Sequence, residues 1–371
     1  MSWKDQANAH IGELKPYEPG RPIEEVEKEL GIRGAVKLAS NENPLGPSPL
    51  AVEAVQEAVA SVHRYPDGGC SELRARLSSH MGLPGDQFIF GSGADEILEL
   101  VAKTFLSPGD EAVMPWPSFA MYPIVVKGMG GVPVTVPLDA SLGHDFEGLL
   151  SQINDRTKLV FLCNPNNPTG TSFGADEFSQ FISAVPENVI VVIDEVYIEF
   201  ARRSDFPDSL ALIAERPATL AMRSFSKLYG LAGLRVGYGI GSPEMVDLLE
   251  RARHPFNVNS LAEVGACAAL ADQDHVRRTL EMNAEGVDYL TRELTGMGYE
   301  VFPTDTNFIL VRMGPGFDQR LLEKGLIVRP MAGFGLEGHV RISIGLPEEN
   351  EKLVKALHEI RQADGERTGS S

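Results

Sequence analysis

Polar side chains collect where four apolar segments of the chain end. The motif GSGADE (91–96) follows one segment, NPNNPTG (164–170) follows a second, Asp194 with Tyr197 close behind ends a third, and RSFSK (223–227) ends a fourth. These motifs bring together amides, hydroxyls, a carboxylate, a phenol and a lysine amine. Because parallel strands end at one edge of a sheet, the spacing predicts a single site at that edge.

The segments that carry these motifs have the pattern of buried parallel strands. Residues 158–163, 189–194 and 218–222 are continuous apolar runs of strand length, which suit strands covered on both faces. Helical spacing of apolar residues over 93–105 is typical of an amphipathic helix. Strands that alternate with helices predict an α/β fold with a doubly wound sheet.

Past about residue 250 the pattern changes, and it indicates a second unit. We expect an N-terminal arm (1–35) that joins a small domain, a large domain (36–255) and a small α+β domain (256–371). The features of the small domain are one long helical region and three short strands, at 260–297, 307–312, 325–330 and 339–345.

The composition excludes several classes of partner. The chain has 371 residues, with 33 Lys and Arg against 52 Asp and Glu, which gives a net charge of −19. Such a field repels nucleic acid and anionic membranes. An anionic ligand therefore needs a pocket that is locally lined by arginines.

The cysteines and the N-terminus indicate a cytoplasmic protein. Three scattered cysteines match neither a disulfide framework nor a metal site, which is typical of a reducing compartment. The eight histidines have no metal-ligand spacing, so no metal is expected. The first residues lack the apolar core of a signal peptide, and no apolar run is long enough to span a membrane.

The motifs together resemble a known family. The segment SFSKLYGLAGLRVGY (224–238) resembles the cofactor-lysine segment of the fold type I aminotransferases, and NPNNPTG, DEVY (194–197) and GSGADE are similar to that family's other signatures, in the same order. The resemblance implies a pyridoxal 5′-phosphate enzyme. It also implies a large domain with a mostly parallel, doubly wound, seven-stranded sheet and a smaller α+β domain.

The resemblance assigns catalytic roles to Lys227, Asp194 and Tyr197, and a cofactor-binding role to Asn167. Lys227 would carry the cofactor as a Schiff base and later move a proton between substrate and cofactor; the alternative is a solvated loop lysine. Asp194 would pair with the pyridine nitrogen, or simply cap the next segment. Tyr197 and Asn167 would hydrogen-bond the phenolic oxygen; the alternatives are a core tyrosine and a turn asparagine.

The cofactor phosphate would be bound by backbone amides and hydroxyls. The amides of Gly93, Ala94 and Asp95 open a predicted helix, and a helix N-terminus attracts anions. Ser224 and Ser226 would add hydroxyl donors.

Three further cofactor contacts are implied by the resemblance. Arg235 resembles the family's phosphate-binding arginine, with a surface salt bridge as the alternative. Phe119 occupies the position of the aromatic residue that stacks on the ring, and Tyr122 is the second choice for that role. Tyr65 resembles a tyrosine that a neighbouring subunit donates to the phosphate, which would require a homodimer.

Arginines of the small domain would bind the substrate. Arg341 resembles the family's carboxylate-binding arginine, and Arg329 lies on a neighbouring predicted strand. Two converging arginines would suit a substrate phosphate as well as a carboxylate; the alternative is a pair of rim salt bridges. Tyr17 would line the substrate side or pack the arm, and Asn43 and Asn307 are further candidates for the wall.

The pattern is most similar to the histidinol-phosphate aminotransferases. The matching pieces are LKPYEPGRP, SNENPLGPSP, HRYPDG, GSGADE, and IVRPM followed by HVRIS. The implied reaction converts glutamate to 2-oxoglutarate and imidazole-acetol phosphate to L-histidinol phosphate.

Three other functions stay open at this point. An aromatic amino-acid aminotransferase would share these motifs, and the region around Phe334 could line an aromatic pocket or form a loop. A phosphothreonine decarboxylase or other lyase could use the same fold. A non-enzymatic binding protein is disfavoured because the lysine, carboxylate, phenol, amide and arginine are all present.

Overall fold

A computed structural model describes residues 2–14, 16 and 20–368. In these residues the chain forms two sheets, which are flanked by helices. The strands are β1 (Val36–Leu38), β2 (Phe88–Gly91), β3 (Glu111–Trp116), β4 (Val132–Pro137), β5 (Thr157–Cys163), β6 (Ile190–Asp194), β7 (Thr219–Ser224), β8 (Gly237–Gly241), β9 (Glu300–Val301), β10 (Phe308–Arg312), β11 (Leu326–Pro330) and β12 (His339–Ser343).

The larger sheet has seven strands in the order β2-β8-β7-β6-β5-β3-β4. Strands β4, β3, β5, β6 and β7 run parallel, whereas β8 pairs antiparallel with both of its neighbours. The predicted mostly parallel, seven-stranded sheet is therefore confirmed.

The central strands are apolar because helices cover both of their faces. Val192 of β6 lies in register between Phe161 of β5 and Leu220 of β7, and all three side chains are fully buried. The same register aligns the ends of the strands and so places Asp194 between Cys163 and Met222.

The helices surround both sheets. They are α1 (Ala9–Gly12), α2 (Ile23–Leu30), α3 (Pro49–Ala58), α4 (Ser71–Met81), α5 (Ala94–Phe105), α6 (Met121–Gly128), α7 (Phe146–Ser151), α8 (Ala175–Ala184), α9 (Ser209–Glu215), α10 (Pro243–Ala252), α11 (Ser260–Ala271), α12 (Gln273–Gly296), α13 (Phe317–Glu323) and α14 (Pro347–Thr368). None of the helices in the described part of the chain is both long and apolar enough to cross a membrane.

The predicted helical region at 260–297 is two helices rather than one. Asp272 separates them, and its carboxylate accepts a hydrogen bond from the backbone N–H of His275. An aspartate in this position stabilises the start of a new helix by satisfying an N–H that lacks a partner within the helix.

The smaller sheet has five strands in the order β1-β11-β12-β10-β9. Its strand β1 pairs with Leu326–Val328, although the expected boundary at residue 35 would assign β1 to the large domain. Conversely, Ala262 and Ala266 of α11 pack in one core with Phe88 and Tyr238 of the larger sheet. The domain limits stay a prediction. In the structure, β1 and α11 each pack against the domain on the other side of those limits.

Candidate active site

A cavity lies beyond the aligned ends of β5, β6 and β7. Most of the predicted site residues line it. The lining residues among them are Ala94, Asp95, Phe119, Asn167, Asp194, Tyr197, Ser224, Ser226, Lys227, Arg235, Arg329 and Arg341. The smaller sheet closes the other side of the cavity with Ala39, Ser40 and Asn41, which follow β1.

Lys227 lies three residues after the end of β7, and its half-buried side chain lines the cavity. The Nζ atom donates a long hydrogen bond of 3.4 Å to the carbonyl of Ser40 and lies 5.7 Å from the centroid of the Tyr197 ring. Burial lowers the pKa of the Lys227 amine from 10.5 to about 8, and the positive charge of Arg341 adds to this effect. The amine can therefore lose its proton close to neutral pH.

Asp194 is the last residue of β6 and is 4% exposed. One carboxylate oxygen accepts a 2.7 Å hydrogen bond from the Tyr122 hydroxyl, and the other accepts a 3.1 Å bond from the N–H of Val196. Burial raises the pKa of Asp194 to about 6, while these two bonds act in the opposite direction. A cationic group bound here would favour the ionised carboxylate.

The hydroxyl of Tyr197 is hydrogen-bonded to a residue that the sequence motifs did not identify as part of the site. Asn41 Nδ2 donates to this hydroxyl at 2.9 Å. Burial raises the pKa of Tyr197, so the phenol stays protonated. Asn41 is 1% exposed and has a φ of 54°, a conformation that asparagine tolerates better than most residues. Its place in the SNEN motif was the only signal in the sequence.

Arg341 and Asn167 contact each other directly. Arg341 Nη1 donates to Asn167 Oδ1 at 2.6 Å, and Nη2 donates to the carbonyl of Ala39 at 2.7 Å. The guanidinium also lies over the Phe308 ring, 5.2 Å from its centroid. Arg329 is the Cα partner of Arg341 on the adjacent strand, so both arginines face the cavity from one sheet.

Several groups that can bind an anion lie together near the start of α5. Gly93 precedes α5 with a φ of 81°, and a side-chain carbon at this position would overlap the Arg235 guanidinium. Arg235 Nη2 donates to Asp95 at 3.2 Å, and the N–H of Ser226 donates to the Ser224 hydroxyl at 3.0 Å. A helix N-terminus, two hydroxyls and a guanidinium fit a phosphate group.

The aromatic residues lie in two layers. Phe119 lines the cavity, and its ring meets Tyr122 edge to face at 5.7 Å. Tyr122 is fully buried and stacks on Phe161, with ring centroids 5.0 Å apart. Phe119 therefore faces the cavity, whereas Tyr122 lies in the core and contacts Asp194.

Two predicted residues lie away from the cavity or cannot be placed. Tyr65 is 84% exposed and stacks on Phe256, with ring centroids 4.9 Å apart. Tyr17 lies outside the residues that the structure describes.

Asn43, a predicted residue of the substrate wall, contacts the loop that carries Lys227. Its Nδ2 donates to the carbonyl of Leu228 at 2.8 Å and to Thr279 at 3.2 Å. The Asn43 amide therefore connects the loop that carries Lys227 to α12. Asn307 likewise donates to the backbone carbonyl of Asn41 at 3.0 Å. Both side chains support the wall and do not line it.

The structure also bears on the region around Phe334 and on metal binding. Phe334 stacks on Trp116 with ring centroids 5.8 Å apart and is not among the lining residues. Within the described residues, no group of three or more His, Cys, Asp or Glu side chains could hold a metal ion.

Comparison with known protein families agrees with this geometry. The model of the family "Aminotransferase class I and II" matches residues 33–357. The chain belongs to this aminotransferase family. The predicted pyridoxal-phosphate-dependent aminotransferase is therefore confirmed at the level of the family.

Similar proteins and structures cover nearly the whole aminotransferase. Histidinol-phosphate aminotransferase 1 of Nitrosococcus oceani is 44% identical over 95% of this chain and 96% of its own. The histidinol-phosphate aminotransferase of Moorella thermoacetica is 46% identical over 94% of this chain and 91% of its own. A crystal structure of the Sinorhizobium meliloti histidinol-phosphate aminotransferase with pyridoxal 5′-phosphate has a TM-score of 0.88 at 29% identity, and covers 96% of this chain and 98% of that one.

These matches confirm the fold type I architecture. The roles of individual residues in the aminotransferase are not tested by them and stay predictions.

Proposed function

We propose that this aminotransferase transfers the amine of glutamate to imidazole-acetol phosphate, which gives 2-oxoglutarate and L-histidinol phosphate. The observation that carries the proposal is the pairing of Arg329 with Arg341 on adjacent strands, both of which line the cavity that holds Lys227. The names of relatives at 44% and 46% identity support the same substrate.

The two arginines matter because the protein as a whole repels anions. The net charge is −19, whereas both substrates carry carboxylate or phosphate groups. A guanidinium binds either group through two parallel hydrogen bonds. One cavity with two arginines can therefore accept glutamate and a phosphate ester in turn.

The cavity residues fit pyridoxal 5′-phosphate. When bound, this cofactor supplies an electron sink for the bonds of the substrate α-carbon. Asp194 would hold a proton on the ring nitrogen, since its carboxylate is buried and can be ionised by a cationic partner. The cradle formed by Gly93, the start of α5, Ser224, Ser226 and Arg235 would hold the phosphate.

Lys227 would move the proton that the reaction requires. Its amine has a pKa lowered to about 8, so it could accept a proton from the substrate α-carbon and pass it to the former aldehyde carbon of the cofactor. Tyr197 and Asn167 would donate hydrogen bonds to the ring oxygen. Asn167 accepts from Arg341 through Oδ1, which leaves Nδ2 as the donor.

The active enzyme would be a cytoplasmic homodimer. The 84% exposure of Tyr65 and its stacking on the half-exposed Phe256 support a role for this ring in a neighbouring subunit. The three free cysteines, Cys70, Cys163 and Cys267, are all buried thiols, as is typical of a reducing compartment.

Steady-state kinetics test the proposal. We expect kcat/KM with histidinol phosphate and 2-oxoglutarate to exceed that with phenylalanine by about 100-fold or more, because a phosphate has oxygens for both arginines whereas the single carboxylate of phenylalanine leaves one of them without an anionic partner. A preference for phenylalanine would instead establish an aromatic amino-acid aminotransferase. Formation of glutamate from 2-oxoglutarate separates both from a decarboxylase, which needs no keto-acid acceptor.

A further inference from the structure

The hydroxyl of Tyr197 is connected to the smaller sheet through Asn41. The backbone N–H of Asn41 donates to the Ser343 hydroxyl at 2.8 Å, and this hydroxyl donates to Asn41 Oδ1 at 2.9 Å. Asn41 Nδ2 then donates to Tyr197 at 2.9 Å. The amide of Asn307 holds the Asn41 carbonyl from the other side at 3.0 Å.

These hydrogen bonds run in one direction, from the Ser343 hydroxyl through the Asn41 amide to the Tyr197 oxygen. The Ser343 oxygen accepts the backbone N–H of Asn41, and the Ser343 hydroxyl donates to Asn41 Oδ1. The Asn41 amide is thereby oriented with its NH2 group toward Tyr197, and an amide nitrogen can only donate. The Tyr197 oxygen must accept this bond, and its own proton is left to point elsewhere.

Burial makes this direction persistent. Asn41 is 1% exposed, and Tyr197 and Ser343 are each 3% exposed, so solvent does not compete for these groups. Hydrogen bonds that are shielded from water are stronger, and a mispaired one is costly. Tyr197 and Asn41 also line the cavity, where the Tyr197 proton can meet an acceptor.

We propose that Asn41 is a positioning residue that makes Tyr197 a hydrogen-bond donor toward the cavity. This inference rests on the proposed function, in which Tyr197 faces the ring oxygen of the cofactor. Ser343 is two residues from Arg341 on β12, so the same strand positions the substrate arginine and fixes the Tyr197 proton. With the cofactor bound, a hydrogen bond from Tyr197 to its ring oxygen would lower the pKa of the nitrogen that joins Lys227 to the cofactor.

The test compares Asn41→Asp, Tyr197→Phe and the double variant with the wild type. Aspartate keeps the shape of asparagine, tolerates the positive φ and still accepts from Ser343, but cannot donate to Tyr197. The Tyr197 proton would be drawn to the new carboxylate. The readout is the pH midpoint of the visible absorbance of the protein loaded with pyridoxal 5′-phosphate, measured without substrate.

We expect Tyr197→Phe and Asn41→Asp each to raise this midpoint by about 1 to 2 pH units, which is the size of one lost hydrogen bond to a charged group. We expect the double variant to match Tyr197→Phe alone, because both changes remove the same donor. An unshifted midpoint in Asn41→Asp overturns the proposal. So does a shift that persists in full in the Tyr197→Phe background, since it would reflect the new charge alone.

Two further measurements keep the test decisive. If Asn41→Asp does not fold, Ser343→Ala replaces it; a midpoint shift of the same sign that vanishes with Tyr197→Phe supports the proposal, and its absence overturns it. If the wild type acquires no visible absorbance with the cofactor, the proposed function itself has failed. If the wild type is loaded and Tyr197→Phe shifts the midpoint but Asn41→Asp does not, only the role of Asn41 is rejected.

Discussion

The Tyr122 hydroxyl donates a 2.7 Å hydrogen bond to one oxygen of the Asp194 carboxylate. Both groups are almost completely buried, and the tyrosine ring is fixed by its stacking on Phe161. Hydrogen bonding to a carboxylate favours its ionised form. Tyr122 therefore opposes the effect of burial on the one carboxylate that is placed to hold a cationic ring nitrogen.

Removing this hydroxyl is expected to change the pH dependence of the enzyme. Tyr122→Phe keeps the stacked ring but raises the pKa of Asp194 above its present value of about 6. The carboxylate would then be protonated at a higher pH, so activity should be lost earlier as the pH falls. The acid limb of kcat/KM should move up by about one pH unit. An unchanged acid limb would mean that Tyr122 serves packing alone.

Lys227→Ala should abolish transamination. The variant loses both the amine that holds the cofactor and the group that moves the proton, so we expect kcat to fall by at least about 10⁴-fold. The visible absorbance of the loaded protein near neutral pH should also disappear. Borohydride treatment followed by peptide mass analysis checks the assignment, because reduction should label Lys227 in the wild type and no lysine in the variant.

Arg341 is expected to affect the substrate more than the cofactor. Arg341→Ala should raise KM for glutamate roughly 10- to 100-fold, because it removes a charge-assisted pair of hydrogen bonds. Arg341→Lys is the matched control, since it keeps the charge without the two-pronged geometry. Equal losses in substrate and cofactor affinity would contradict a specific role of Arg341 in binding the substrate.

Arg235→Ala should show the reverse pattern. Its guanidinium lies against Gly93 and donates to Asp95 at the phosphate end of the cavity. We expect the Kd for pyridoxal 5′-phosphate to rise by roughly 10-fold or more, with KM for glutamate little changed at saturating cofactor. Equilibrium titration of the cofactor-free protein measures the first quantity, and a larger effect on KM would contradict the assignment.

The rate at which the cofactor-free protein captures its cofactor should depend on pH through Lys227. Only the unprotonated amine can attack an aldehyde, and its pKa is lowered to about 8. The rate should therefore rise with pH and level off above about 8. A lysine peptide has an amine with a pKa of about 10.4. Its rate of reaction with the cofactor should therefore still rise with pH above about 8. Parallel profiles for the protein and the peptide would contradict the effect of burial.

The sequence was most informative where burial is most uniform. The apolar runs of β5, β6 and β7 predicted three buried parallel strands, and their register explains why Asp194 and Lys227 reach one cavity. By contrast, β3 and β4 contain prolines and β8 is rich in glycine, so their patterns resemble those of turns more than strands. Their strand character depends on neighbours that are distant in sequence.

Individual contacts between side chains that are distant in sequence could not be read from the sequence. Asn41 and Tyr197 are 156 positions apart, and Tyr122 and Asp194 are 72 positions apart. Residue type alone does not distinguish a buried donor from a stacking ring or a turn residue. Only the packed core, which fixes each side chain in one orientation, assigns these partners.

Three consecutive residues after β1 each meet a different reactive group. The carbonyl of Ala39 accepts from Arg341, that of Ser40 accepts from Lys227, and the side chain of Asn41 donates to Tyr197. The carbonyls that accept from the anion-binding guanidinium and from the exchanging amine thus belong to adjacent peptide units. A shift of this short stretch by one residue would misalign all three contacts at once, so a single-residue insertion or deletion here should be far more damaging than one in an exposed loop.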